Sequence, residues 1–248
     1  MSKTLLITGG SRGIGAAAAL LAARRGWDVA INYARDAAAA QRVAEQVRAL
    51  GRRALVIQAD VADEAQVLAL YATVDREFGA LGGLVNNAGV VDLPARVDEM
   101  SLQRLMRMFA INLTGSFLCA REAVKRMSTR HGGRGGVIVN LSSAAARLGS
   151  PGQYVDYAAA KAGIDTFTLG LAREVATEGI RVNAVRPGII DTEIHASGGL
   201  PDRVKQTAPM VPMQRAGSAE EVAQAIVWLL SDDSSYTTGA VIDVTGGR

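Results

Sequence analysis

Cysteine occurs once in the 248 residues, at Cys119, so the chain has no internal disulfide framework. Histidine occurs twice, at His131 and His195, and one Cys with two His is too small a donor set for a structural zinc site. No metal is expected. Aromatic residues make up only 4%, too few for a base-stacking surface. Long hydrophobic runs are missing as well: the longest apolar stretch, Ala16 to Ala23, falls far short of the ~20 residues that span a bilayer. The first ten residues lack a charged region followed by an apolar one, as a secretory leader would have. The chain therefore reads as a cytoplasmic protein without membrane association.

What is present points to one folded unit. Hydrophobic residues at 49% supply a sizeable core, and charged residues at 21% argue against disorder. Neither a low-complexity linker nor a fixed-period repeat divides the sequence, so residues 1–248 are expected to form a single domain. The net charge of +3 is small but uneven. Residues 1–60 hold 9 Lys and Arg against 4 Asp and Glu, whereas residues 61–248 hold 18 against 20. A basic first quarter suits nucleic acid or a phosphorylated small molecule, or is a chance surplus on solvated helix faces. Sparse aromatics and the lack of a nucleic-acid motif make nucleic acid the weaker reading.

Short apolar runs alternate with longer amphipathic ones. Thr4–Thr8, Val29–Asn32, Ala54–Gln58, Leu84–Asn86, Val137–Leu141, Val182–Val185 and Val241–Val244 read as strands, several β-branched and nearly continuous, as in parallel strands covered on both faces. Helical stripes lie between them: Val43 and Val47; Leu102, Leu105, Met106 and Phe109; Val222, Ala225, Ile226 and Leu229. Asp63 and Glu64 suit a helix start, and Ser218 with Glu221 forms a capping-box pair. The alternation predicts a doubly wound α/β fold with a parallel sheet. Residues 188–217 break the pattern with Gly198, Gly199, Pro201, Pro209 and Pro212. Connections beyond about 12–15 residues are uncommon unless functional. This one is read as a lid over a site, with a short helix near Asp202–Gln206 and Ile189, Ile190, Ile194, Met210 and Met213 as apolar docking groups.

The first strand runs into Thr8-Gly9-Gly10-Ser11-Arg12-Gly13-Ile14-Gly15, followed by an alanine-rich helix. Glycines permit a tight turn and close backbone approach to a pyrophosphate, and the helix N-terminus adds partial positive charge. The strand–turn–helix context raises this glycine cluster above an ordinary turn. NAD-preferring sites carry an acid near the end of the second strand. Here the end reads Asn32-Tyr33-Ala34-Arg35, without one. Arg35 and Arg12 are candidates for a ribose phosphate, or are ordinary surface arginines.

Thr8-Gly9-x-x-x-Gly13-x-Gly15, Asn86-Asn87-Ala88-Gly89, Asn112, Ser142-Ser143, Tyr157-x-x-x-Lys161 and Pro187-Gly188 occur in this order. In these motifs the whole chain resembles the short-chain dehydrogenase/reductase family. It is similar to the branch that includes 3-oxoacyl-carrier-protein reductases and bacterial glucose or sugar 1-dehydrogenases. Arg147-Leu148-Gly149-Ser150-Pro151 and His195-Ala196-Ser197-Gly198-Gly199 resemble a little-characterised bacterial oxidoreductase subgroup. The resemblance implies a seven-stranded Rossmann fold and an alcohol–carbonyl oxidoreductase, and the missing acid after the second strand, with Arg35, Arg12 and the basic first quarter, makes NADP (NADPH) rather than NAD the expected cofactor. A catalytically idle NADP-binding sensor on the same fold is the alternative.

By that resemblance Ser143 hydrogen-bonds the substrate oxygen, Tyr157 moves the proton, and Lys161 lowers the tyrosine pKa and holds the nicotinamide ribose. Asn112 holds a water in the proton relay, or is simply a polar residue that kinks its helix. Ser143 precedes Tyr157 by 14 residues, where the commonest family spacing is 13. The extra residue is expected in the Arg147–Gln153 loop, and Ser142 stays an alternative. The resemblance further places Gly9, Gly10, Ser11, Arg12, Gly13, Ile14 and Gly15 at the pyrophosphate. Tyr33 and Arg35 would lie at the adenosine ribose, Asp60 and Val61 at adenine, and Asn86, Ala88 and Gly89 beside that ribose. Pro187, Gly188, Ile190 and Thr192 would hold the carboxamide. It also implies a homotetramer. Ala158, Ala159, Ala162 and Gly163 would let a partner helix approach, with the helix around Leu102–Met127 as companion, unless they pack on their own sheet. Lys125, Arg126, Arg130 and Arg134 suit an acidic carrier protein or, the plainer reading, a helix C-terminus.

Overall fold

The computed structural model describes residues 3–194 and 198–248; His195, Ala196 and Ser197, quoted above, lie outside the described residues. The apolar runs form seven strands: β1 (Lys3–Ile7), β2 (Trp27–Tyr33), β3 (Ala54–Gln58), β4 (Leu81–Asn86), β5 (Gly136–Leu141), β6 (Ile180–Pro187) and β7 (Val241–Val244). All pair in parallel, in the order β3-β2-β1-β4-β5-β6-β7. The order reverses between β1 and β4, where doubly wound sheets open a crevice at the carboxyl ends of their strands.

Helices cover both faces, as the continuous apolar strands demand. Helices α1 (Gly13–Arg24) and α2 (Ala37–Ala49) pack one face together with a later helix, Ala219–Leu230. Helices α3 (Glu64–Phe78), α5 (Gly115–Met127) and α7 (Val155–Val175) pack the other. Asp36, Asp63 and Ser218 cap their helices by accepting from backbone N–H groups, and Ser218 with Glu221 completes the expected capping box. The stretch Leu102–Met127 is α4 (Leu102–Phe109), a π turn (Ala110–Thr114) and α5 in succession. A short α6 spans Ala145–Leu148.

Strands β2 and β6 start two residues, and β4 three residues, before the apolar runs suggest, and β1 and β5 one residue before. In β2 the charged Asp28 is buried because Arg53 donates to it from its backbone N and Nε, at 3.0 and 2.9 Å, and Arg52 pairs with it at 2.8 Å. In β4, a side chain at Gly83 would stand 2.9 Å from Leu5 and 3.4 Å from Trp27, so glycine is what lets that strand lie beside β1.

The segment after β6 contains α8 (Arg203–Thr207), with Asp202 at its N-cap, close to the expected short helix. Its apolar docking differs from expectation. Ile189 and Ile190 are buried, but Met210 and Met213 are 66% and 60% exposed, and Val211 is the side chain that inserts. A 3-10 turn over Ala208–Met210 carries Met210 outward and leaves Val211 inward. We label the later helix Ala219–Leu230 α9. Of the small residues on α7, Ala158 is buried and Gly163 lies against Leu113 of the same chain, whereas Ala159 is exposed. Lys125 and Arg126 both pair with Glu122, Arg126 also meets Asp75, and Arg130 approaches Glu178. Arg134 also has a partner. The basic cluster is thus largely neutralised by its own chain.

Candidate active site

The turn after β1 is built from backbone. Gly9 and Gly13 have positive φ, +61° and +53°, where a side chain is strained. A Cβ at Gly15 would stand 2.5 Å from both the Asn87 amide and the Gly9 carbonyl. Gly10 donates to the Asn32 carbonyl at 2.8 Å. Arg12 is the N-cap of α1 and no side chain caps it, unlike α2, α3 and α9. The first N–H groups of α1, from Gly13, Ile14 and Gly15, therefore have no capping side chain beside Ser11, the arrangement that accepts an anion.

Residues not foreseen as site residues fix this turn. Asn87 donates through its side chain to the carbonyls of Thr8 and Gly9, at 2.9 and 2.8 Å. Thr8 Oγ1 accepts from the backbone N–H groups of Asn87 and Ala88, both at 3.0 Å. On the other side, Asn32 Oδ1 accepts from Gly9 N at 3.2 Å. Asn87 and Thr8 lay inside the quoted motifs; their roles needed the strand order, which sets β4 beside β1.

The other expected cofactor residues divide. Tyr33 ends β2, and Arg35 is exposed in the turn beyond it. Arg12 is exposed and pairs with Glu193 at 3.1 Å. Asp60 Oδ1 accepts from Ala62 N at 2.9 Å, shaping the turn after β3. Val61 is buried against Gly115, where a Cβ would stand 2.8 Å away. The Asn86 side chain turns into the protein and donates to Ser116 O and Asn140 Oδ1, at 3.1 and 2.9 Å. Pro187 and Gly188 lead out of β6, with Gly188 packed so close to Thr245 that a Cβ would stand 2.8 Å from its Cα. Ile190 bridges to Gly217, and the Thr192 methyl reaches within 3.4 Å of a Cβ position at Gly13. The segment after β6 thus crosses back to the glycine turn.

The four expected catalytic residues come together around Gly89 and one cavity. Tyr157 and Lys161 share a face of α7, one turn apart. Ser143 and Tyr157 line the same cavity, and Ser143 Oγ accepts from Ala145 N at 3.2 Å. Ser142 instead donates to the Lys161 carbonyl at 3.2 Å and is buried. Lys161 Nζ donates to the Leu141 carbonyl at 2.6 Å. A Cβ at Gly89 would stand 2.9 Å from Asn112 Oδ1 and 3.7 Å from Lys161 Nζ, so glycine allows the approach. Asn112 sits in the π turn, a helix irregularity often found at functional sites. Its side chain is committed to backbone: it donates to the Val90 and Met108 carbonyls and accepts from Val90 N, each at 3.0 Å.

The electrostatics differ from expectation at one point. Burial pushes the Tyr157 phenol above its usual value, and the Ser143 hydrogen bond only partly opposes this. The Lys161 ammonium is turned to Leu141 O, at 2.6 Å, and lies 5.7 Å from the ring centroid of Tyr157. Burial lowers Lys161 itself to about 8, opposed by Asp165 one turn on.

Behind Tyr157, the buried Asp156 accepts from Arg104 Nε at 2.8 Å and from the Tyr157 backbone N at 2.9 Å. Arg104 also donates to the carbonyls of Leu93 and Gln153. One guanidinium therefore joins α4, the loop after β4 and the start of α7. The cavity itself, about 410 Å³, is lined by Ser143, Tyr157, Lys161, Pro187, Thr192 and Arg203, among others.

A family model described as enoyl-(acyl carrier protein) reductase matches residues 9–248. The chain is 56% identical over 243 residues to the uncharacterized oxidoreductase YgfF of Escherichia coli K12, covering 98% of each. It is 40% identical to the 3-oxoacyl-[acyl-carrier-protein] reductase FabG of Staphylococcus aureus Mu50, covering 100% of this chain and 98% of that one. A short-chain type dehydrogenase/reductase from Mycobacterium marinum superposes with a TM-score of 0.92 at 36% identity, over 99% of this chain and 94% of that one. The seven-stranded parallel sheet, the site at its carboxyl edge and these full-length likenesses make the chain a member of the short-chain dehydrogenase/reductase family, an oxidoreductase acting on CH–OH or carbonyl groups.

Proposed function

We propose that the chain is an NADP-dependent oxidoreductase that interconverts a carbonyl and an alcohol through Ser143, Tyr157 and Lys161, with Asn112 in support. The observation that carries the reading is the one cavity lined by Ser143, Tyr157 and Lys161, with Lys161 one turn from Tyr157, bordered by the N-terminal turn of α1. Retained Tyr157 and Lys161 weigh against an idle sensor.

The residues fit a dinucleotide. The uncapped start of α1 and the positive-φ glycines Gly9 and Gly13 suit a pyrophosphate, and Gly89 leaves room beside Lys161. The second-strand end offers Arg35 instead of an acid, which favours a ribose phosphate, with Arg12 available once it exchanges Glu193. When bound, the nicotinamide supplies or accepts the hydride.

The chain's own groups handle the proton. Ser143 donates toward the substrate oxygen as it gains charge. Tyr157, held neutral by burial, is a proton donor at neutral pH and suits the reducing direction. Lys161, with its own pKa near 8, is mostly charged at pH 7 and assists that transfer while holding the ribose. Asn112 keeps the π turn and the Val90 backbone in register beside Lys161. Ser142, turned toward the α7 backbone, serves structure.

Residues 188–217 act as the lid, and the assembly is a cytoplasmic homotetramer using the small-residue face of α7. A small carbonyl or alcohol is the substrate. The test is steady-state kinetics on Tyr157→Phe with an active substrate, checked by circular dichroism. A folded variant with near-wild-type kcat refutes the assignment.

A further inference from the structure

The cavity that holds Tyr157 carries charge of one sign. Lys161, Arg203 and Arg248 line it, and among the described residues no Asp or Glu side chain does. Arg203 also differs from most arginines of this chain. Arg12, Arg52, Arg104, Arg126, Arg186 and Arg215 each meet a carboxylate within 3.1 Å. The contacts of Arg203 are neutral: Nη1 donates to Gln153 Oε1 at 2.6 Å, and its guanidinium stacks 5.1 Å from the ring centroid of the buried Tyr154.

These neutral contacts aim the group. Tyr154 is the N-cap of α7, three residues before Tyr157, and Tyr154, Tyr157 and Arg203 line the same cavity. Arg203 therefore sits on the wall beside the reacting centre and comes from the segment that crosses over the site. A half-buried guanidinium that meets no carboxylate among the described residues gains from an anion, and its planar fork matches carboxylate or phosphate oxygens. Gln153 and Tyr154 hold it without neutralising it.

We propose that Arg203 is the anchor for an anionic carbonyl substrate, one that bears a carboxylate or a phosphate a few bonds from the reacting carbon. This inference rests on the oxidoreductase reading above and adds the substrate class. Arg203 is then a specificity-determining residue and the segment after β6 its carrier. The cavity of about 410 Å³ is lined in part by residues assigned to the cofactor, such as Ile14, Gly89, Gly188 and Thr192, so the space left favours a small molecule with the charge held inside the pocket.

The experiment compares matched pairs with NADPH as reductant: levulinate against its methyl ester, and dihydroxyacetone phosphate against dihydroxyacetone. The wild type is expected to prefer at least one anion at least tenfold in kcat/KM, and the preferred pair tells carboxylate from phosphate. In Arg203→Gln that anion-to-neutral ratio should fall toward one, through KM, while Arg203→Lys keeps part of it. Melting temperatures of the same proteins with each compound report binding where turnover is slow: the preferred anion stabilises wild type and not Arg203→Gln. Equal use of both members of both pairs overturns the proposal, as does a preference that survives in Arg203→Gln, or a lack of turnover together with a lack of stabilisation by either anion. Failure of the underlying reading looks different, because Tyr157→Phe would then retain wild-type turnover whatever the anion preference.

Discussion

Removing Arg104 tests whether the start of the catalytic helix is held by one buried ion pair. The Asp156 side chain is fully buried, and Arg104 is 11% exposed. In Arg104→Met the carboxylate keeps one donor, the Tyr157 backbone N, and loses its counter-charge. Breaking a buried pair in this way costs about 3–5 kcal/mol. The Leu93 and Gln153 carbonyls lose their guanidinium donor as well. For a chain of this length each 1 kcal/mol shifts Tm by roughly 2–4 °C, so the variant should melt about 6–20 °C lower.

The double variant Arg104→Met with Asp156→Asn separates charge from packing. The introduced amide would still accept from Tyr157 N but leave no buried charge, so most of the loss should return. Urea unfolding of the wild type, both single variants and the double variant gives the coupling, expected to be several times the few tenths of a kcal/mol seen between independent sites. A loss below about 1 kcal/mol in Arg104→Met, or a double variant as unstable as the sum of the singles, would refute the reasoning.

Tyr157→Phe keeps the ring and removes the acid, so kcat should fall about 10²–10⁴-fold with the fold intact by circular dichroism. Arg35→Ala should raise the NADPH KM about 10- to 100-fold and leave NADH little changed, since a hydrogen bond to a charged group is worth roughly 1.5–3 kcal/mol; a wild type that uses both cofactors equally refutes it. Glu193→Gln frees Arg12 from an exposed pair worth up to about 1 kcal/mol, so the NADPH KM should drop by up to about fivefold. Lys161 is charged below its pKa of about 8 and neutral above it, so the rate of carbonyl reduction should decline as pH rises through 8, which a pH–rate profile checks. Sedimentation at micromolar concentration should show a tetramer; a monomer would refute the assembly.

The sheet was legible because the strands are short apolar runs, several of them β-branched, and three of the segments between them carry a helical stripe; both are local signals. Tyr157, Lys161 and Ser143 were legible as a motif, and Tyr157 and Lys161 share a face because four residues make about one helical turn. Strand starts at Trp27 and Leu81 were not, because their warrant is long-range: Arg52 and Arg53 neutralise Asp28, and Leu5 and Trp27 exclude a side chain at Gly83. The same holds within the site. Nothing near Asn87 in sequence says that its amide will meet Thr8 and Gly9, and nothing near Arg203 places Tyr154 beneath it.

The tyrosine shows where motif reasoning stops. Spacing gives proximity of Lys161 and Tyr157, but a pKa depends on where the ammonium points and on how dry the phenol is. Here Leu141 O takes the ammonium and burial dominates the phenol, so the site as it stands is an acid waiting for an oxygen that gains charge. For the same tyrosine to act as a base, Lys161 must leave Leu141 O for a position nearer the hydroxyl, or the solution must be alkaline. How readily the tyrosine ionises is then set by what draws Lys161 away, and the ribose hydroxyls of a bound cofactor are the competing acceptors that the proposed reading puts there.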